Sequence, residues 1–166
     1  ADGERLAASW RLKPPYADWH CFCSPLKRAR QTANLLGFTS MTPVDSLQEM
    51  HWGHWEGHTL ESLRRIDPRA FRRNEDRGLD FRPPGGESPR EVCYRLRTWL
   101  NTLSNKHLPA VAVCHKGVLR AALSIAIDWD MMDDPPEKLR DGCGHLYRLE
   151  NQNLVLEKIN IKLSSD

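Results

Sequence analysis

The sequence predicts a three-layer α/β domain with a mainly parallel sheet and a C-terminal antiparallel hairpin, with residues 1–166 forming one unit. Three observations predict it. Residues 19–23 (WHCFC) are a short apolar run that breaks at Ser24-Pro25 into a helical pattern. Residues 110–114 (AVAVC) are wholly apolar, follow Pro109 and turn at His115-Lys116-Gly117 into a second helical pattern. Residues 144–149 and 154–163 alternate apolar and polar around Asn151-Gln152-Asn153. Strand–helix units favour parallel pairing between covered faces, and alternation around a turn favours a hairpin.

Each element has a local cause. Leu6, Ala7, Ala8 and Trp10 give a helix signal that Pro14-Pro15 ends. After the first strand, Ser24 suits an N-cap and Pro25 the first helical position. Leu26, Ala29, Ala33 and Leu36 then fall on one face, and Gly37 closes the helix. The stretch 41–59 is aromatic and irregular, with a short helix expected after Thr59. Residues 64–82 are rich in arginine without a clear apolar stripe and read as a mobile loop or short helix. Pro83-Pro84-Gly85-Gly86 is a break. Ser88-x-x-Glu91 has the form of a capping box with Pro89 at the first position. The helix it opens carries Val92, Leu96, Trp99, Leu100 and Leu103 at helical spacing. Residues 110–114 should be a strand buried on both faces, and a helix should run over 118–126.

Composition narrows the classes. The chain has 166 residues, 28 % charged and 40 % hydrophobic, which suits one globular domain. No apolar run reaches the length of a membrane span. A net charge of +2 gives no ground for a nucleic-acid partner. The opening residues lack the apolar stretch of a signal peptide. Five cysteines cannot all pair within the chain, and Cys21, Cys23 and Cys114 sit in apolar runs. Reduced core thiols in a cytoplasmic protein are the expectation.

Three constellations could carry chemistry. Ser24-Pro25-Leu26-Lys27-Arg28 places an arginine in the first turn of a helix that follows a parallel strand, where α/β ligand crevices lie. Such a helix start favours an anion, and a guanidinium can grip one bidentately. The same spacing also suits a solvated arginine. Cys114-His115-Lys116-Gly117 repeats the arrangement with a histidine that can donate to, or shuttle protons for, a phosphate. A histidine simply bonded to a neighbouring loop is the alternative. Between Glu49 and Thr59, two carboxylates and three histidines lie among tryptophans and glycines. Met50, Trp52 and Trp55 could shield Glu49 and raise its pKa toward a general acid. Tryptophans filling the edge of the core, with solvated histidines, would look the same. His51, His54 and His58 lack a cysteine or fourth ligand nearby, so no metal site is expected.

Together these segments resemble the histidine phosphatase superfamily, the phosphoglycerate mutase-like fold. Residues 24–33 (SPLKRARQTA) are similar to its S-P-L-x-R-A-x-Q-T-A segment, and 49–57 to its E-x-x-x-G-x-W-E-G loop. Residues 84–88 (PGGES) match its helix start, and 113–120 (VCHKGVLR) its V-x-H-G-G-x-x-R turn. The resemblance implies that Arg28 binds the transferred phosphoryl group and that Glu49 is the acid for the leaving oxygen. It makes His115 the second histidine of the pocket, beside the phosphoryl oxygens. Lys116 stands where the family usually has glycine and would add positive charge for phosphate binding. Ser24, Trp52, Arg72 and Arg73 are possible substrate contacts, although a solvated loop also explains the arginines. No metal and no other cofactor is implied. The expected partner is a small phosphorylated substrate, with no nucleic acid or membrane, and a homodimer is possible.

The family's nucleophile is a different histidine, in an R-H-G motif after a first strand, and no R-H-G occurs in this sequence. Gly3-Glu4-Arg5 resembles the segment that follows that motif. The expectation is therefore a preceding segment that carries Arg-His-Gly on a strand beside residues 110–114. Without it, rows of backbone groups would face a gap. The compact middle of the chain resembles the small phosphatase branch, which includes α-ribazole phosphatases. Phosphomonoester hydrolysis through a phosphohistidine is the favoured activity. A phosphoglycerate mutase-type transfer and an inactive phosphate- or protein-binding relative are the rivals. Arg28, Glu49 and His115 should converge at the carboxyl ends of the parallel strands.

Overall fold

A computed structural model describes residues 9–163. Its centre is a parallel sheet of three strands: β1 (His20–Cys23), β2 (Thr42–Pro43) and β3 (Ala110–Val113). The order is β2-β1-β3. His20 sits opposite Ala110 and Cys23 opposite Val113, so β1 and β3 end level. Successive strand residues face opposite sides, and that alternation makes the layers. Cys21, Cys23 and Val113 pack with Ala29, Ala33 and Phe38, around helix α1 (Lys27–Leu35). Phe22 packs on the other side with Val92, Leu96 and Leu100 of helix α4 (Pro89–Leu100) and Val118 and Ala121 of helix α5 (Lys116–Ile127). The helical layers on the two faces are those expected.

The hairpin is also present, as strands β4 (Cys143–Glu150) and β5 (Asn153–Lys162), antiparallel through a turn in which Asn151 and Gln152 take positive φ. It forms a sheet of its own, with no ladder to β3. A cavity of about 980 Å³ is lined by both β3 and the hairpin, including Val111, Val113, Leu146 and Tyr147. For that reason β3 departs from the expected burial on both faces: Val113 is buried, whereas Ala112 is exposed. Its apolar composition describes a strand with neighbours on both edges, and among the described residues β3 pairs only with β1.

Two local readings are corrected and one open reading is decided. Helix α1 starts at Lys27 with Leu26 as its N-cap, so Ser24 is not the cap; its hydroxyl is engaged elsewhere, as shown below. The short helix expected after Thr59 is present, and of the loop or short helix expected over 64–82 the structure has the short helix. Helix α2 (Leu60–Ile66) and helix α3 (Pro68–Glu75) form there, each on a side-chain cap: Thr59 accepts from the Ser62 N–H and Asp67 from the Ala70 N–H. Each contributes one buried apolar residue, Leu63 and Phe71, and Phe71 stacks on Trp55 with ring centroids 5.2 Å apart. Helix α5 begins at Lys116, two residues before the expected start. Most of the helix signal before Pro14 lies outside the described residues. Among the described residues, no helix is long and apolar enough to cross a membrane.

The loop 49–57 and the segment 83–88 touch backbone to backbone. The His54 N–H donates to Pro84 O (2.9 Å) and the Glu87 N–H to His51 O (2.8 Å). Gly53 has φ +54, and a Cβ there would lie 2.2 Å from Pro84 O. Only glycine permits that approach.

The capping box at α4 is complete, with Ser88 and Glu91 each accepting from the other's backbone N–H. Ser88 is buried. Ser88→Ala should lower stability by about 1–2 kcal/mol, read as a lower urea midpoint at unchanged slope.

Candidate active site

Parallel pairing brings the carboxyl ends of β1 and β3 to the same edge of the sheet. The Ser24 N–H continues the ladder to Val113 O (2.9 Å), which sets Ser24 beside the turn that carries His115. His115 is the N-cap residue of α5, with extended backbone. Its imidazole points back across the edge. Arg28 Nε donates to His115 Nδ1 (3.2 Å), and His115 Nε2 lies 2.9 Å from Ser24 Oγ. Since Nδ1 accepts from a guanidinium, the one hydrogen of a neutral ring belongs on Nε2, donating to Ser24 Oγ. Ser24 is completely buried, and its oxygen also accepts from the Leu26 N–H (3.3 Å). The hydroxyl assigned to a helix cap instead orients the histidine.

This environment opposes the imidazolium. Burial, then the positive charges of Arg28 and Arg95, push the His115 pKa down to about 4. A dianion placed against Arg28 and the ring would oppose both charges and favour the protonated form.

Glu49 reaches the same place from the loop. Its Oε1 accepts from the Met50 N–H (2.8 Å) and from the Gly117 N–H in the first turn of α5 (3.0 Å). A carboxylate belongs at that end of the helix dipole. Gly117 is needed for the contact, because a Cβ would stand 2.4 Å from Oε1. Among the described residues, Oε2 has no hydrogen-bond partner. Arg28, Glu49 and His115 thus gather around the start of α5, 21 and 66 residues apart in sequence (28 to 49, 49 to 115).

The remaining sequence candidates are placed less centrally. Lys116 is the first residue of α5, with Nζ 3.5 Å from Asp141 Oδ1, both exposed. Trp52 is half-buried and packs edge-on to Phe81; its backbone N–H donates to Glu56 Oε1 (2.8 Å). Glu56 thereby pins the loop. Arg72 pairs with Asp76 (3.0 Å) on the exposed side of α3, and Arg73 is exposed on the same helix. No hydrogen bond or ion pair among the described residues links either to Arg28, Glu49 or His115. No group of three or more His, Cys, Asp or Glu side chains among them is arranged to hold a metal. The Cys21 and Cys114 thiols are each pushed up to about 12 by burial, and all five cysteines are free.

Two residues that the motif reading left without a role are prominent here. Arg95 Nε donates to Glu87 Oε1 (2.7 Å) and Nη2 to Glu87 Oε2 (3.1 Å). The same guanidinium donates to Ser46 O (2.6 Å) and Gln48 O (2.9 Å). Glu87 belongs to the Pro-Gly-Gly-Glu-Ser segment, which was the one available signal. Arg95, eight residues on, reads as an ordinary helix-surface charge.

Strand ends, an arginine at a helix start and a histidine–glycine turn are features of one known class. The model of the histidine phosphatase superfamily (branch 1) matches residues 2–162, and the chain belongs to that superfamily. Phosphoglycerate mutase from Thermus thermophilus is 37 % identical, with a TM-score of 0.62 over 76 % of this chain and 68 % of that one. The alpha-ribazole phosphatase of Shigella flexneri covers 99 % of this chain and 84 % of its own, with a TM-score of 0.73; at 20 % identity this likeness speaks for the fold alone. Fructose-2,6-bisphosphatase of Saccharomyces cerevisiae is 29 % identical over 112 residues, or 68 % of this chain. The chain spans only 24 % of that protein's length.

The pKa of His115 gives a signed prediction. The unfolded chain takes up a proton near 6.5, whereas the folded state resists until about 4. Stability is therefore full above about 6.5 and is lost as pH falls through that window. His145, also held down by burial, acts in the same direction. Urea midpoints should fall between these pH values, and His115→Gln should flatten the slope. An unchanged slope in that variant would show that His115 is not held neutral.

Proposed function

We propose that the chain carries the phosphate-binding and proton-donating parts of a phosphomonoester hydrolase that acts on a small phosphorylated metabolite through a phosphohistidine. The observation that carries this reading is the convergence of Arg28, His115 and Glu49 on the first turn of α5. A phosphoryl group there would meet the Arg28 guanidinium, the His115 ring and the positive end of the α5 dipole. Glu49, whose Oε2 has no hydrogen-bond partner among the described residues, would supply the proton.

In the first step a histidine nitrogen attacks phosphorus. The bond to the leaving oxygen breaks, and that oxygen takes the Glu49 proton. In the second step water attacks phosphorus and gives its proton to Glu49, and the phosphorus–nitrogen bond breaks. His115 and Arg28 neutralise charge on the equatorial oxygens in both steps. His115 itself is occupied by Arg28 and Ser24 and is not the attacking residue. The resemblance puts the nucleophile in an Arg-His-Gly segment outside these residues.

The cavity between β3 and the hairpin supports that placement. It is lined by β3, whose edge away from β1 has no strand partner among the described residues. Its lining is largely apolar, yet His145 Nε2 and Tyr147 Oη are buried along it without hydrogen-bond partners among the described residues. Backbone groups of an added strand could satisfy both. The free, buried thiols support a reducing, cytoplasmic compartment.

The second reading is transfer of the phosphoryl group rather than hydrolysis, favoured by the likeness to the Thermus thermophilus phosphoglycerate mutase. The test uses the complete product of the gene. Phosphate release from a panel of small phosphomonoesters should be rapid and independent of a bisphosphoglycerate primer. Isomerised product that appears only with the primer would support the transfer reading, and no reaction with either would sink both.

The acid role makes a further prediction. Glu49→Gln should slow turnover of alkyl phosphates on the order of 10²-fold or more. An aryl phosphate with an activated leaving group should slow much less. Equal losses on the two would argue against proton donation by Glu49.

A further inference from the structure

We propose that Arg95 is a positioning residue for Glu49, a role that rests on the phosphatase reading above. Its guanidinium fixes the chain on one side of the acid by holding the carbonyls of Ser46 and Gln48. On the other side the link is indirect. Glu87, gripped through both oxygens by Arg95, accepts from the His51 N–H (3.3 Å), and its own N–H donates to His51 O (2.8 Å). Residues 46, 48 and 51 are thereby tied to one Arg–Glu pair, with Glu49 between them.

The clamp stands on rigid ground. Arg95 lies within α4, and Glu87 precedes the capping box that starts the same helix. Both side chains are mostly withdrawn from water, at 21 % and 19 % exposure. Charge-assisted bonds in such a place are short and directional. A planar fork that serves three acceptor groups cannot be replaced by the single ammonium of lysine. The required accuracy comes from Gly117: the Glu49 carboxylate reaches its N–H only while the loop backbone keeps this path.

A clamp that only held the fold would lower the active fraction equally for every substrate. A positioning residue fails where the acid is needed. In the complete gene product, Arg95→Met and the milder Arg95→Lys should slow glycerol 2-phosphate hydrolysis on the order of 10- to 100-fold. They should slow p-nitrophenyl phosphate far less. In the Glu49→Gln background, adding Arg95→Met should cost little more, because the residue it serves is already disabled. Equal losses on both substrates, or losses that add to those of Glu49→Gln, would overturn the proposal.

A readout without catalysis separates this idea from the reading beneath it. Amide exchange at Gly117 should speed up in Arg95→Lys while exchange in the middle of α5 stays as in the parent protein. If the parent protein releases no phosphate from either ester, the phosphatase reading fails, and unaltered Gly117 exchange would overturn the clamp by itself.

Discussion

The pairing of β1 with β3 is the constraint on which the site depends. Because the strands are parallel and end level, Ser24 and His115 emerge at the same edge although 91 residues separate them. Helices α1 and α5 leave from that edge, so both helix starts and the Arg28 side chain face one point. An antiparallel pairing would put the two turns at opposite ends of the sheet. A slip of one residue would send His115 to the other face. The backbone ladder therefore does the coarse positioning, and side-chain bonds set the last ångström.

Those bonds divide the labour by charge. Arg28 and Ser24 hold the His115 ring from two sides, and burial together with the charges of Arg28 and Arg95 keeps it neutral. Arg95 adds positive charge near enough to be felt by the ring while its bonds shape the loop. Lys116 contributes another cation at a helix start, where the dipole disfavours it. Glu49 supplies negative charge and is held by backbone N–H groups. Arg95 is matched by Glu87 and Lys116 lies near Asp141, which leaves the Arg28 guanidinium and the Glu49 carboxyl as the charged groups gathered at the start of α5.

Much of this was legible in the sequence because it rests on local rules. Ser88 and Glu91 form their capping box from spacing alone, and the turn at Asn151-Gln152 follows from the alternation on either side. The strand–turn–helix segments also placed Arg28 and His115 at helix starts. What was illegible depends on distant partners. Ser24 has the composition of a helix cap, but a histidine 91 residues away takes its hydroxyl. The residues of β3 read as buried on both faces, yet their burial depends on what lies along the outer edge. The helix after Thr59 was expected, but α3 buries only Phe71, too little to make a stripe, so 64–82 stayed open between a loop and a short helix although Asp67-Pro68 was a readable cap. Arg95 resembles any surface charge until its carbonyl partners in the 46–48 loop are known.

The central claim is that a phosphoryl dianion binds between Arg28 and His115. The most direct measurement is a titration of the His115 ring nitrogens by NMR, in the complete gene product, with and without saturating inorganic phosphate. The account predicts a ring that is neutral down to about pH 4 without phosphate. With phosphate bound, protonation should move to markedly higher pH as the anion offsets the arginines. A titration curve that phosphate leaves unmoved, in a protein shown to be folded, would contradict the account.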